Sequence, residues 1–137
     1  MLTVLDDYVA HIQSSGNKSL LARIYGVFTI KSNHFPDLDF LMMQNTVRLL
    51  NPNNDKLTFD IKGSKTKRWI YAKESNMKSK VLKDMNFLEL DREQQLVHMS
   101  EEQRREVLAA FEMDSVFLRD HGIMDYSLLL VIESLNA

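Results

Sequence analysis

A serine seven residues ahead of a long apolar-periodic stretch, and a glycine just beyond it, bracket the most strongly specified element in this sequence. Ser100-Glu101-Glu102-Gln103 has the spacing of a capping box, in which the serine oxygen and the glutamine side chain satisfy amides that a helix start leaves without partners. Val107, Leu108, Phe111, Val116, Phe117 and Leu118 then supply one apolar face, and Gly122 is a natural stop. The predicted helix runs from about Glu101 to Asp120. Beyond it a short polar turn leads into the apolar run Leu128–Ile132, which reads as a buried strand. One long helix delivered through a tight turn into a strand fits neither a bundle nor a doubly wound sheet.

The rest of the chain agrees. Leu2, Val4, Leu5, Tyr8, Val9 and Ile12 recur at helical spacing, so a first helix is expected, ending near Ser15-Gly16. Leu20–Ile30, rich in β-branched and aromatic residues and holding Gly26, reads as a strand. After a turn at Asn33–Asp37 with Pro36, Leu38–Met43 reads as its hairpin partner. Asn51-Pro52-Asn53-Asn54 marks a loop and Leu57–Ile61 a short third strand; Trp69-Ile70-Tyr71 is a candidate strand inside a poorly periodic stretch. The order predicts an α+β fold in a single domain covering residues 1–137.

Charge is segregated along the chain. Lys62 to Lys83 holds eight lysines and arginines against Glu74, a net of +7, while Asp84 to Asp114 holds nine acids against three arginines, a net of −6. Such a basic block suits a polyanion, either phosphate, an anionic membrane or nucleic acid. Taken alone, it more readily suits a solvated loop that pairs with the acidic helix after it. With no cysteine, disulfides, zinc–thiolate sites and thiol nucleophiles are excluded, which fits a cytosolic protein. The four histidines lack ligand spacing, no glycine-rich phosphate loop is present, and no apolar run is long enough to span a bilayer. Asp6 and Asp7 occupy the place where a signal peptide needs apolar residues.

Two segments are candidates for chemistry. Asp60-Ile61-Lys62-Gly63-Ser64 ends the third strand, where a lysine, an approachable glycine backbone and a hydroxyl can face one anion; a charged turn is the plain alternative. In Ile123-Met124-Asp125-Tyr126-Ser127-Leu128-Leu129 a single carboxylate lies between a long helix and a strand. Rigid elements on both sides suit a positioned general base, and an aspartate that merely caps a turn is the alternative.

Taken in order, the two segments resemble the Asp-Leu-Lys-Gly-Ser and Met-Asp-Tyr-Ser-Leu-Leu motifs of phosphatidylinositol phosphate kinases, the second letter for letter. The similarity extends through Tyr25-Gly26-Val27-Phe28, Met42-Met43-Gln44-Asn45-Thr46-Val47, Lys83-Asp84-Met85-Asn86-Phe87-Leu88 and Val116-Phe117-Leu118. The resemblance implies part of a two-lobed lipid-kinase core that uses ATP and Mg2+ to phosphorylate a phosphoinositide at the cytosolic face of a membrane. By the same resemblance Asp125 matches the catalytic aspartate, and Lys62 a lysine near the transferred phosphate or head group. Gln44, Asn45 and Thr46 match the adenine hinge, with Asp60 also on the ATP side. Lys65, Lys67 and Arg68 join Lys62 as expected substrate-binding cations, and no metal ligand is assigned. Nucleic acid is not an expected partner, because the net charge of the whole chain is −2 and no recognition motif is present. Departures exist: Thr58 stands where the family usually places a lysine shortly before the first motif, and Leu130-Val131-Ile132 replaces the family's Val-Gly-Ile. The similarity opens within the small-lobe helix and closes before the family's second, metal-binding aspartate. These 137 residues alone are therefore expected to be poorly active.

Overall fold

The structure, a computed structural model, describes residues 2–134. It is α+β, with helix α1 (Leu2–Ser14), strands β1 (Ile24–Ile30), β2 (Leu38–Met43) and β3 (Lys56–Ile61), a single helical turn α2 (Glu74–Met77), β4 (Val81–Lys83), helices α3 (Asp84–Gln94) and α4 (Glu101–Asp120), and β5 (Leu128–Glu133).

The strands form two sheets. β1 and β2 make an antiparallel hairpin in which Val27 faces Leu41 and Phe28 faces Phe40. A Cβ at Gly26 would lie 2.6 Å from the Phe28 ring, which would have to swing aside, and the register slips between Ile24 and Gly26. The strand predicted from Leu20 begins only at Ile24, because the preceding amides are taken elsewhere. Leu20 N–H donates to Asp114 (2.7 Å), Leu21 N–H to the Ser19 hydroxyl (3.2 Å), and the Tyr8 hydroxyl donates to Ala22 O (2.9 Å) while accepting from Ile24 N–H (3.1 Å).

The second sheet has the order β4-β3-β5, with β3 parallel to β4 and antiparallel to β5. β3 is its centre. Phe59 and Leu82 are fully buried, and the Phe87 ring of α3 meets Phe59 edge to face at 5.4 Å. β5, expected to be buried, is an edge strand and half-buried along most of its length. Its far end is fastened by Glu133, whose carboxylate accepts from Leu50 N–H (2.7 Å), Asn51 N–H (2.9 Å) and the Asn54 amide (2.7 Å).

α4 keeps the predicted bounds for the predicted reason. Ser100 Oγ accepts from Gln103 N–H at 3.2 Å and Gln103 Oε1 from Ser100 N–H at 2.9 Å. At the other end Gly122 takes φ +63, Ile123 N–H reaches Leu118 O and Gly122 N–H reaches Arg119 O, a Schellman closure. Trp69–Tyr71 is not a strand. Both backbone groups of Ile70 are held by the side chain of buried Asn86, at 3.0 and 2.9 Å, which leaves no ladder to join.

Candidate functional site

The antiparallel register of β3 and β5 decides where the two candidate motifs meet. Ile61 pairs with Leu128, so the residues following β3 and those preceding β5 emerge at one end of the sheet. Lys62 is the first residue past β3, and its ammonium donates to the Asp125 carboxylate in the turn before β5. Two residues 63 positions apart are thus brought together by strand pairing. Asp125 takes φ 61, a left-handed conformation that aspartate and asparagine tolerate better than most residues. Its side chain is 86% exposed, against 29% for Lys62.

Behind Lys62 the chain is held by a second acid. Asp84, at the start of α3, is buried; its Oδ1 accepts the backbone N–H groups of Lys62 (3.0 Å), Gly63 (2.8 Å) and Ser64 (3.2 Å), and its Oδ2 accepts Arg68 Nε at 2.7 Å. Gly63 permits this wrapping with φ +69. Burial pushes the Asp84 carboxyl up, but the Arg68 guanidinium and the amides of Asp84, Lys62 and Ser64 outweigh it and hold it below the ordinary aspartate value. The same guanidinium donates to Asp60, to its backbone oxygen and to Oδ2 at 2.9 Å. The Ser127 hydroxyl, and after it Arg68 and Lys62, keep Asp60 low against its partial burial.

This geometry alters two expectations. The backbone of Lys62-Gly63-Ser64 does not face an external anion, because all three amides are spent on Asp84; only the lysine side chain is directed to the mouth of the site. Arg68, expected beside Lys65 and Lys67 as a substrate-binding cation, is 11% exposed and clasped between Asp60 and Asp84. Its charge is committed to the loop. Lys65 and Lys67 are exposed and pair with no acid among the described side chains.

A cavity of about 640 Å³ opens next to this arrangement. Lys62, Gly63, Tyr126 and Ser127 form one side, Leu20–Ala22 another, and Phe111 and Leu118 of α4 part of the rest. Of the three expected hinge residues Thr46 lines it, while Gln44 N–H is bound to Arg23 O at 2.7 Å, and the Asn45 side chain caps Val47 N–H at 3.0 Å. Asp60 does not line the cavity; its carboxylate accepts from Arg68 at 2.9 Å. A second cavity of about 480 Å³ lies at the opposite end of β3, among Lys56, Met77, Leu90 and Ile132. Among the described residues no three carboxylates or histidines converge as a metal site. No helix among them is long and apolar enough to cross a membrane.

Two supporting acids were not among the residues singled out from sequence. Asp84 stands at the point where the chain turns from basic to acidic and inside one of the segments that carry the resemblance, but neither sign assigns it a role. Asp114 gives no sign at all. It is buried on α4, accepts Leu20 N–H, and meets His11 of α1 at 2.6 Å, fixing one wall of the larger cavity.

Comparison with known proteins bears on this arrangement. The family model described as Phosphatidylinositol-4-phosphate 5-Kinase matches residues 1–137. The human protein named phosphatidylinositol 4-phosphate 5-kinase-like protein 1 is 32% identical over 137 residues, covering 99% of this chain and 32% of that protein. Phosphatidylinositol 5-phosphate 4-kinase type-2 gamma of Xenopus tropicalis is 31% identical over 136 residues, covering 96% of this chain and 30% of that protein. The chain spans about a third of the length of these relatives.

Proposed function

Because the chain belongs to the phosphatidylinositol-4-phosphate 5-kinase family, we propose that it is the catalytic-loop portion of a phosphoinositide kinase, acting on an inositol ring hydroxyl at the cytosolic surface of a membrane. One observation carries the proposal: β3–β5 pairing places the Lys62 ammonium against the Asp125 carboxylate at the mouth of the larger cavity.

The roles follow from the chemistry of the two groups. Asp125 is exposed and fixed by a turn, so its carboxylate can orient the attacking hydroxyl and take its proton. Lys62 offers a point charge to the phosphate as negative charge builds on it; positioning and charge neutralisation supply most of the catalysis in phosphoryl transfer. Lys62 also offsets the Asp125 charge before substrate arrives. Asp84 and Arg68 are positioning residues that hold the Lys62–Ser64 loop. ATP, when bound, supplies the phosphoryl group. The cavity is large enough and apolar enough along Leu20, Leu21, Phe111 and Leu118 to receive a nucleobase near Thr46. Lys65 and Lys67 remain free to meet an anionic lipid head group.

A second reading rests on the names of relatives. Human and mouse proteins 32% and 34% identical to this chain are named kinase-like, and a non-catalytic module that binds anionic membranes would use the same lysines. The readings separate in a chimera in which these residues replace the matching segment of a full-length phosphatidylinositol 5-phosphate 4-kinase. Transfer of labelled phosphate to a phosphoinositide supports the kinase. Vesicle binding without transfer supports the module and overturns the catalytic assignment.

A further inference from the structure

The stretch after Arg68 presents two aromatic side chains that nothing in the catalytic arrangement uses. Trp69 is 39% exposed and Tyr71 88% exposed, and their rings meet edge to face with centroids 6.5 Å apart. An exposed pair of this size on a mobile loop would mean little, but the backbone beneath it is fixed at three points. Arg68 O accepts Met85 N–H at 3.0 Å, both backbone groups of Ile70 are held by buried Asn86, and Tyr71 O accepts the Lys80 ammonium at 2.8 Å. The Arg68 side chain is in turn clasped by the same Asp84 that gathers Lys62, Gly63 and Ser64. A continuous set of hydrogen bonds therefore links the aromatic pair to the lysine facing Asp125.

The surroundings indicate what would cover the pair. Lys65 and Lys67 precede it in sequence and Lys80 touches it, within a block of net +7. Tryptophan and tyrosine carry an apolar body and a polar tip, and they settle where hydrocarbon meets water; lysines beside them favour an anionic surface. We propose that Trp69 and Tyr71 form an interfacial anchor that seats among the head groups of an anionic phospholipid leaflet, with Lys65, Lys67 and Lys80 supplying the electrostatic hold. Through Arg68 and Asp84 the anchor fixes the height of Lys62 and Asp125 above that leaflet. The inference rests on the membrane-surface reading above and names the side chains that make the contact.

Trp69 is the only tryptophan in the chain, so its own emission reports on the site. The chain is mixed with vesicles of phosphatidylcholine alone or of phosphatidylcholine with phosphatidylserine, with and without brominated acyl chains, while sedimentation measures binding separately. The expected result is a blue shift and quenching by brominated lipid with the serine-containing vesicles only. Tyr71→Ala, at a position too exposed to matter for folding, is expected to lose about tenfold in vesicle affinity, as for part-burial of one aromatic ring. Sedimentation with serine-containing vesicles but unshifted, unquenched emission overturns the anchor and leaves the membrane reading standing. Absence of sedimentation overturns both. A blue shift produced by polyglutamate and not by vesicles identifies an acidic polypeptide as the occupant and also overturns the anchor.

Discussion

Asp84 gathers four donors on one buried carboxylate, and its neighbours were chosen accordingly: a glycine that can take φ +69, an arginine long enough to reach back, and an asparagine two residues on that holds Ile70. Removing that acceptor leaves amides and a guanidinium without a partner. Asp84→Ala is expected to lower stability on the order of 3 kcal/mol, read as a fall in the urea midpoint with little change in slope. The pH dependence has a definite sign. Asp84 and Asp60 are both held below the ordinary value of 3.8 in the folded chain. Their contribution is therefore complete above that value and is lost as pH falls through the depressed folded values. Acid unfolding of the parent should begin below about pH 4 and be shallower in Asp84→Asn, which keeps a carbonyl oxygen for the amides but titrates no longer. None of this was visible in the residues one at a time. Lys62 and Asp125 are legible because they sit in short ordered motifs, whereas the clasp on Arg68 depends on an acid 16 positions away. A basic residue in a basic block gives no sign that it faces inward.

Elements whose signals are local were the ones read correctly. α4 carries its capping box and its glycine stop within its own sequence, and β2 follows the Pro36 turn directly, so both keep their predicted bounds. β4 is three residues long and exists because β3 lies parallel beside it, a pairing no local pattern announces. α3 starts on Asp84 behind Lys83, which has no oxygen with which to cap, and its apolar face is thin. The contact of α1 with α4 is another non-local product. His11 stacks on Phe117 at 4.4 Å and pairs with Asp114, while His121, just past α4, donates from Nδ1 to Phe117 O (2.8 Å) and from Nε2 to Asp7 of α1 (3.1 Å). The Phe117 carbonyl, and then Asp7, hold the His121 imidazolium above the ordinary histidine value of 6.5 against partial desolvation. A raised folded value means the stabilisation is complete below 6.5 and disappears as pH rises through the raised value. His121→Gln should accordingly flatten the fall in thermal midpoint between pH 6 and pH 8 relative to the parent. An unchanged slope in that variant would show that the clasp between α1 and α4 does not titrate.

On the scale of the whole chain, one sheet does the assembling. Its central strand β3 ends just before Lys62, its edge strand β5 begins after Asp125, and its parallel neighbour β4 delivers Asp84 to the back of the same loop. The larger cavity opens at that end of the sheet. The α+β class was legible from element order; the meeting of the two motifs was not, because it rests on the pairing of β3 with β5, nor was the use of the Lys62–Ser64 amides on Asp84, which requires knowing where α3 returns. The central claim is that Asp125 is the base and Lys62 its charged partner. It is tested most directly by steady-state phosphorylation of phosphoinositide vesicles by the chimera, with Asp125→Asn and Lys62→Ala compared side by side. Asparagine accepts the left-handed turn as readily as aspartate, so the fold should be kept while the base is lost. Turnover in Asp125→Asn is expected to fall by about 10²–10⁴ with KM for the lipid little changed. Lys62→Ala should lower turnover and raise KM together, since an ammonium also binds the phosphate of the ground state. Near-normal turnover in Asp125→Asn would contradict the account.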